Sequence, residues 1–467
     1  MGELPLIMEP GKEGVYPVNL YWMDELEDGK AGLVGTPGLT LDVTVDASGG
    51  EVRGMEECKG GVLKGYAFVV CKSSVYRYQS GTPTLCTGSL LTSSGRVCIV
   101  NNGTQVMITD GAYGYYVTGT TVTRITDTDF PVASSLAYQD GYGIITEKDT
   151  GKFWISGLYD FSAWEALDYA TAEGMPDDAV AVMSDHRELM IFGEKSIESY
   201  ENTGASDFPF ERIGGGFIEK GIGAAQSPAK GDNTVFWLSD MRQILRATGI
   251  GGAPQIVSTR QLDKRFQAMA TVSDAFGFCM DLGGSWYVIT FPSENETWCL
   301  NTVTNRWNQW ASYPYSGTHL RHRANCYCHH DGKHLIGDFE NGCIYKVDVD
   351  AFADSGNAIR SQLILPVAEK GGRWIYHSRM EIEIKAGVGI ATGQGSDPML
   401  MMDWTDTGQK RWSNEHWRSM GKIGEYWKTL VWNSLGRSKH RQYRLTITDP
   451  VERQITGYNL SFDVGGY

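Results

Sequence analysis

Seven side chains of the kinds that ligate metals crowd one short stretch: His319, His322, Cys326, Cys328, His329, His330 and His334. A structural zinc site is built from two paired halves that bring four ligands to one point, and this Cys-x-Cys-His-His run has no second half. In an extended strand neighbouring side chains face opposite ways, so only Cys326, Cys328 and His330 would share a face. The stretch reads as packed thiols and turn histidines near Asp331-Gly332. Neither a metal site nor a cofactor site is expected.

Carboxylates offer a second chemistry. Glycoside cleavage needs one acid and one nucleophile or base held close together, and Asp110, Asp140, Asp185, Asp240 and Asp281 recur along the chain. Asp-Gly and Ser-Asp pairs, however, are what tight hairpins require, so turn formation accounts for these residues. The repeated Ser-x-Asp-x-Gly-x-x-Trp loop of sialidases is absent, and its nearest approximation, Tyr159-Asp160-Phe161-Ser162-Ala163-Trp164, lacks the glycine. There is no Gly-x-Ser-x-Gly elbow and no phosphate loop. The run Gly214-Gly215-Gly216 has no strand-to-helix context. No catalytic residue is expected, and the chain reads as a non-enzyme.

The aspartates recur because the chain recurs. From Gly65 onward a β-rich unit returns about every 40 to 50 residues, the length of one four-stranded propeller blade. The units open near Gly65, Gly95, Asp140, Ala179, Gly231, Phe276 and Arg323. Several close alike, as strand, polar turn and aromatic strand: Leu158 to Trp164, Ser199 to Gly204, and Leu300 to Trp307. Large rings there would fill the wedge between blades. The expected fold is all-β, with a β-propeller over residues 46–355. Six blades are favoured over seven, since the short unit near Gly65 could complete the last blade.

Further on, Ser378 to Lys385 and Arg441 to Thr448 alternate apolar and charged residues, the mark of strands with one solvated face. Residues 356–467 are therefore expected to form a separate antiparallel β-sandwich. Five tryptophans crowd it, of which Trp417 and Trp427 are interface candidates. Only Asp263 to Ala270 and Glu415 to Leu430 could be helical. Residues 1–45 break the blade rhythm and read as an extended arm running along a neighbouring surface. Its prolines remove ladder donors, and Tyr16, Pro17, Asn19 and Pro37 are its interface candidates.

The net charge of −15 argues against a protein that grips phosphate backbones over a broad face, yet it suits a wall past which DNA slides. The nine scattered cysteines form no disulfide framework. No basic leader precedes an apolar run, and no window reaches the length of a membrane-spanning helix. A product of a reducing cytoplasm, without membrane insertion of its own, is expected.

Two groups of residues carry a resemblance. Tyr16-Pro17-Val18-Asn19-Leu20 followed by Gly35-Thr36-Pro37-Gly38-Leu39 is one. The other is Ser196-Ile197-Glu198-Ser199-Tyr200-Glu201-Asn202-Thr203-Gly204, leading through Phe208-Pro209-Phe210 to Lys220-Gly221-Ile222-Gly223-Ala224. In order and spacing they resemble the tail hub or nozzle proteins of short-tailed bacteriophages, also called packaged DNA stabilisation proteins. The resemblance implies a structural virion protein, a homo-hexameric ring below the head-to-tail adaptor ring. It would extend and help close the DNA channel, retain packaged DNA and pass it at ejection. Tail fibre, spike or needle proteins would be its other partners, and DNA would cross the lumen without sequence-specific binding. Such a subunit resides in the phage tail after assembly in the host cytoplasm. The competing readings are a carbohydrate-active or glycan-binding propeller and a kelch-like interaction module.

Overall fold

The second strand of each blade-sized repeat has an apolar centre, as in Ala67–Cys71 and Thr234–Leu238, and every residue of those two strands is buried. Tyr142–Glu147, Glu188–Gly193 and Ser285–Phe291 are buried along nearly their whole length. Alternation is lost there because both faces of the strand are covered, which happens when sheets stack face to face. The fourth strands, such as Thr121–Arg124 and Gln255–Ile256, are mostly exposed. Each sheet thus runs from a buried inside to a wet outside.

The structure, a computed structural model, describes residues 2–5, 16–26, 29–313 and 318–465. It has two compact units. One comprises Thr40–Asn295 with Arg323–Val347, the other Met1–Leu39 with Glu296–His322 and Asp348–Tyr467. The boundaries expected from the sequence were 45 and 355.

The first unit holds five four-stranded antiparallel sheets, each in chain order: Val52–Glu57 to Thr82–Leu85, Cys98–Asn101 to Thr121–Arg124, Ala133–Gln139 to Asp160–Thr171, Ala179–Asp185 to Phe210–Ile218, and Ala229–Gly231 to Gln255–Ile256. The hairpin Phe276–Asp281 with Ser285–Phe291 is sixth. The meander Ala324–His330, Lys333–Asp338 and Cys343–Asp348 is seventh, and its next strand is Gly38–Thr44 from the start of the chain. The Val45 N–H donates to the Gly342 carbonyl at 2.9 Å where that strand ends. Hairpins use Asp140-Gly141 and Asp331-Gly332, all four at positive φ, as two-residue turns of the primed type require.

Core clusters join each of the first four sheets to the next: Phe68 and Val70 with Val106 and Ile108, Met107 with Leu136 and Trp154, Phe153 with Ile191 and Tyr200, and Phe192 with Trp237. Phe236 stacks on Tyr287 at 5.2 Å, and Phe278 on Tyr327 at 5.2 Å, carrying the sequence to the seventh sheet. Val52 and Val69 then meet Cys326, Leu335 and Ile344, so the seventh sheet packs back on the first. This is a closed propeller of seven sheets, where six were favoured. The repeat near Gly65 builds a sheet of its own. Its opening strand, Val52-Arg53-Gly54-Met55-Glu56-Glu57, is too polar to be recognised, because Arg53 is buried by bonding to carbonyls.

The second unit is a sandwich. One sheet contains Leu20–Met23, Gly32–Gly35, Gln454–Val464, Ile375–Ile384 and Leu430–Asn433; the other contains Ser361–Ile364, His440–Ile447, Met399–Thr405 and His416–Ser419. Leu33, Leu363, Met380, Ile382, Met402, Trp432, Tyr443 and Phe462 lie between them. Ile375–Ile384 alternates buried and exposed residues, as read from the sequence. The arm departs from expectation: Leu33 and Val34 pair with Ile455 and Gln454, so Leu20–Met23 and Gly32–Gly35 are strands of this chain's own sheet. Pro17 and Pro37 flank those strands, where a missing N–H costs no ladder bond. Of the two possible helices, Arg260–Ala268 forms, with Thr259 accepting from the Leu262 N–H at 3.3 Å as its cap. Residues 415–430 contain the strand His416–Ser419 and a loop instead.

Candidate functional site

The hub of a propeller is where an enzyme of this fold would place its chemistry, and here it is filled. Arg96, just before the second sheet, lays its guanidinium over the Phe276 ring at 3.9 Å and donates to the Asn325 carbonyl. Those two partners belong to the sixth and seventh sheets. Gln226, leading into the fifth sheet, donates through Nε2 to the Cys98 Sγ of the second at 3.1 Å, while its carbonyl accepts from the Gly277 N–H at 2.9 Å. Side chains and main chain of four sheets, or of the segments leading into them, therefore meet here. Burial pushes the Arg96 guanidinium below its ordinary range, a cation held by an aromatic face and a carbonyl rather than by a carboxylate.

At the other end of the first sheet's inner strand sits Glu56. Burial, with Glu57 adding to it and Lys59 and Lys230 opposing, raises its carboxyl to about 7 from 4.5. A folded-state value above the unfolded one means the native protein favours the protonated form. The stabilisation is therefore complete below about pH 4.5 and is lost as pH rises through about 7. Thermal denaturation across that window should show stability falling, by up to about 3 kcal/mol. In Glu56→Gln that fall should vanish; an unchanged profile would assign the pH dependence elsewhere.

The aspartates considered for catalysis serve turns. The Asp110 carboxylate accepts from the N–H groups of Ala112 and Tyr113 at 3.0 and 2.7 Å. Asp140 pairs with Arg187 at 3.7 Å, Asp185 with His186 at 2.9 Å, and Asp240 with Lys195 at 3.3 Å. Each sits on a different sheet, and nothing pairs them as acid and nucleophile. The histidine–cysteine run divides between the units, His319 and His322 in one and the rest in the other. Cys326, Cys328 and His330 do share a buried face, but they pack in the seam between the seventh and first sheets. Burial pushes the Cys326 thiol up to about 12, the opposite of a ligand's thiolate. Among the described residues, no group of three or more His, Cys, Asp or Glu is placed to hold a metal ion. All nine cysteines are free.

The interface candidates separate into two kinds. Tyr16 sets its ring edge-on to Trp298 at 5.4 Å, and the Pro17 carbonyl accepts from the Gln309 N–H at 3.0 Å. Asn19 is 2 % exposed, with its Nδ2 donating to the Ala311 and Arg360 carbonyls at 2.8 and 2.9 Å. Pro37 is half-buried. Tyr16, Pro17 and Asn19 are tied into their own chain. Trp417 and Trp427 are surface residues, 53 % and 101 % exposed. Trp432 is core, Trp404 stacks on His416 at 4.7 Å, and Trp412 lies under the Arg444 guanidinium at 4.0 Å. Ile423 and Tyr426, beside Trp427 and also exposed, were missed because the segment read as a possible helix.

Comparison with known proteins is decisive at the level of family. Residues 13–352 match the family model described as Bacteriophage P22 Gp10, beta-propeller, and residues 360–463 match Bacteriophage P22 Gp10, beta-sandwich. The chain belongs to the bacteriophage P22 Gp10 family. It is a structural phage protein of the tail and DNA-stabilisation class, located in the virion, and not an enzyme. No curated protein matches. Solved structures similar to it include BamB from Moraxella catarrhalis, at 10 % identity over 74 % of this chain and 96 % of that one, with a TM-score of 0.40. PorZ of Porphyromonas gingivalis is similar at 10 % identity, covering 82 % and 46 %, with a TM-score of 0.42. Virginiamycin B lyase from Staphylococcus aureus follows at 13 % identity, 64 % and 94 %, and 0.42.

Proposed function

We propose that this chain is the subunit of a hexameric ring below the head-to-tail adaptor, extending the DNA channel, helping to close it around packaged DNA and letting DNA pass at ejection. The observation that carries the reading is the match of both parts of the chain, propeller and sandwich, to one phage tail family. The filled hub supports it. With Arg96, Gln226 and Phe276 meeting across the axis, a duplex has no path through a single propeller, so a conduit must be enclosed by several copies. An acidic lining would repel phosphates and keep a moving duplex from stalling, in keeping with the charge of −15.

Tail fibre, spike or needle proteins are the partners expected at the far end, and assembly is expected in the host cytoplasm. Negative-stain imaging of the purified chain, alone and with its adaptor, tests the core of this reading. Six-fold rings are the expected result. Monomers or trimers in both samples, with cleavage of surface glycans, would overturn it in favour of the carbohydrate-active alternative.

A further inference from the structure

The loop Gly421–Lys428 of the sandwich presents three large apolar side chains within five residues: Ile423, Tyr426 and Trp427, at 64 %, 65 % and 101 % exposure. Its shape is already fixed. The Glu425 carboxylate accepts from the Lys422 N–H at 3.1 Å and from Lys428 Nζ at 3.2 Å, while the Glu425 N–H donates to the Lys422 carbonyl at 3.0 Å. Lys428 Nζ also donates to Ser419 Oγ at 2.9 Å, anchoring the loop to the sheet. A rigid loop with an aromatic tip loses little freedom on binding, and this is how a binding hot spot is built. Beside it lies a recess of about 510 Å³ lined by Tyr426 and Trp427 with Lys30, Lys385, Lys428 and Glu383.

We propose that this loop is the anchor by which one copy of the chain grips the propeller of the next, an inference that rests on the ring reading above. The rim around the aromatics mixes lysines with Glu383 and Glu425, which is the anatomy of a protein interface and not of a track for phosphates. Residues 360–463 carry 15 Lys and Arg against 11 Asp and Glu, so the whole excess behind the net charge of −15 lies before them. A basic module and an acidic one in the same chain make a second copy the complementary partner.

The propeller offers a matching target on the outer strand Asp160–Thr171. Its pairing shifts between Trp154↔Tyr169 and Ser156↔Trp164, so residues 165–168 bulge from the ladder. Leu167, 84 % exposed, stands there between Glu165 and Asp168: an apolar centre with an acidic flank, facing an aromatic centre with a lysine flank. Joining two different surfaces is a head-to-tail contact, the kind that closes rings.

The test places photoreactive p-benzoylphenylalanine at position 427 of the full chain and irradiates tails assembled from a mixture of isotope-labelled and unlabelled copies. The expected product joins position 427 of one copy to a peptide within Asp160–Thr171 of another. Trp427→Asp should reduce ring incorporation at least tenfold with unchanged melting of the free subunit. Cross-links to the adaptor, to another tail protein or to DNA, or none at all in assembled tails, would overturn the inference. If imaging of the same tails shows no ring, the ring reading itself fails; if the ring is present and the cross-link lies elsewhere, only this assignment does.

Discussion

Arg53→Leu should lower the stability of the propeller by about 4 kcal/mol, read as a shift of the denaturant midpoint at unchanged slope. Arg53 is fully buried on the inner strand of the first sheet. Its guanidinium donates to the carbonyls of Lys72, Thr92 and Ser94 at 2.8, 2.9 and 2.9 Å, to the Gly95 carbonyl, and to Thr92 Oγ1 at 2.9 Å. Those acceptors come from the hairpin of its own sheet and from the loop leading to the second. Leucine fills part of the volume but leaves buried carbonyls without donors, which is the costly half of breaking a hydrogen bond. Arg53→Lys is the sharper control. An ammonium is a point donor and cannot span acceptors spread around a planar fork, so it should recover less than half of the loss. If Arg53→Leu and wild type share one midpoint, the carbonyl cradle contributes nothing and the closure argument fails at its first sheet.

The same residue shows where the sequence could be read and where it could not. Periodic return of β-rich units was legible because each blade needs its own turn chemistry, and Asp140-Gly141 and Asp331-Gly332 announce theirs. The alternating strands of the sandwich were legible for a similar reason: one wet face leaves its mark in every second residue. The number of blades was not. It depended on Val52–Glu57, whose Arg53 and paired glutamates look like a solvated loop until long-range carbonyls are in place to receive them. Nor could spacing tell that the outer strand of the seventh sheet comes from Gly38–Thr44, since closure joins segments some three hundred residues apart. The filled hub was invisible as well, because Arg96, Gln226 and Phe276 meet only when the ring is closed. Trp427 was legible as an interface candidate because five tryptophans crowd one small domain, whereas the shape of its loop depends on Glu425, an unremarkable letter in the sequence.

Asn19 makes the point from the other direction. Its place in the arm motif suggested a contact with another subunit, and the structure finds it bonded on every side within its own chain. Besides donating to the Ala311 and Arg360 carbonyls, its Oδ1 accepts from the Ala311 N–H at 2.8 Å. Its main-chain N–H donates to the Gln309 carbonyl at 2.8 Å, and its carbonyl accepts from the Thr36 N–H and the Ser361 hydroxyl, each at 3.1 Å. One residue thus ties the arm to the strand Arg306–Ser312 and to the start of the sandwich. Its φ of 53° lies in the left-handed region, which asparagine tolerates better than most residues. Asn19→Leu should therefore combine backbone strain of about 1 kcal/mol with three buried backbone groups left unpaired, a loss of about 4 kcal/mol in all. Asn19→Asp should be nearly as damaging, because a carboxylate would face the two carbonyls to which Nδ2 now donates. Hydrogen exchange locates the effect: the Ala311 amide should lose protection in both variants while the amides of Ala67–Cys71 keep theirs. Wild-type protection at Ala311, with a defect only in ring assembly, would return Asn19 to the subunit interface where the motif first placed it.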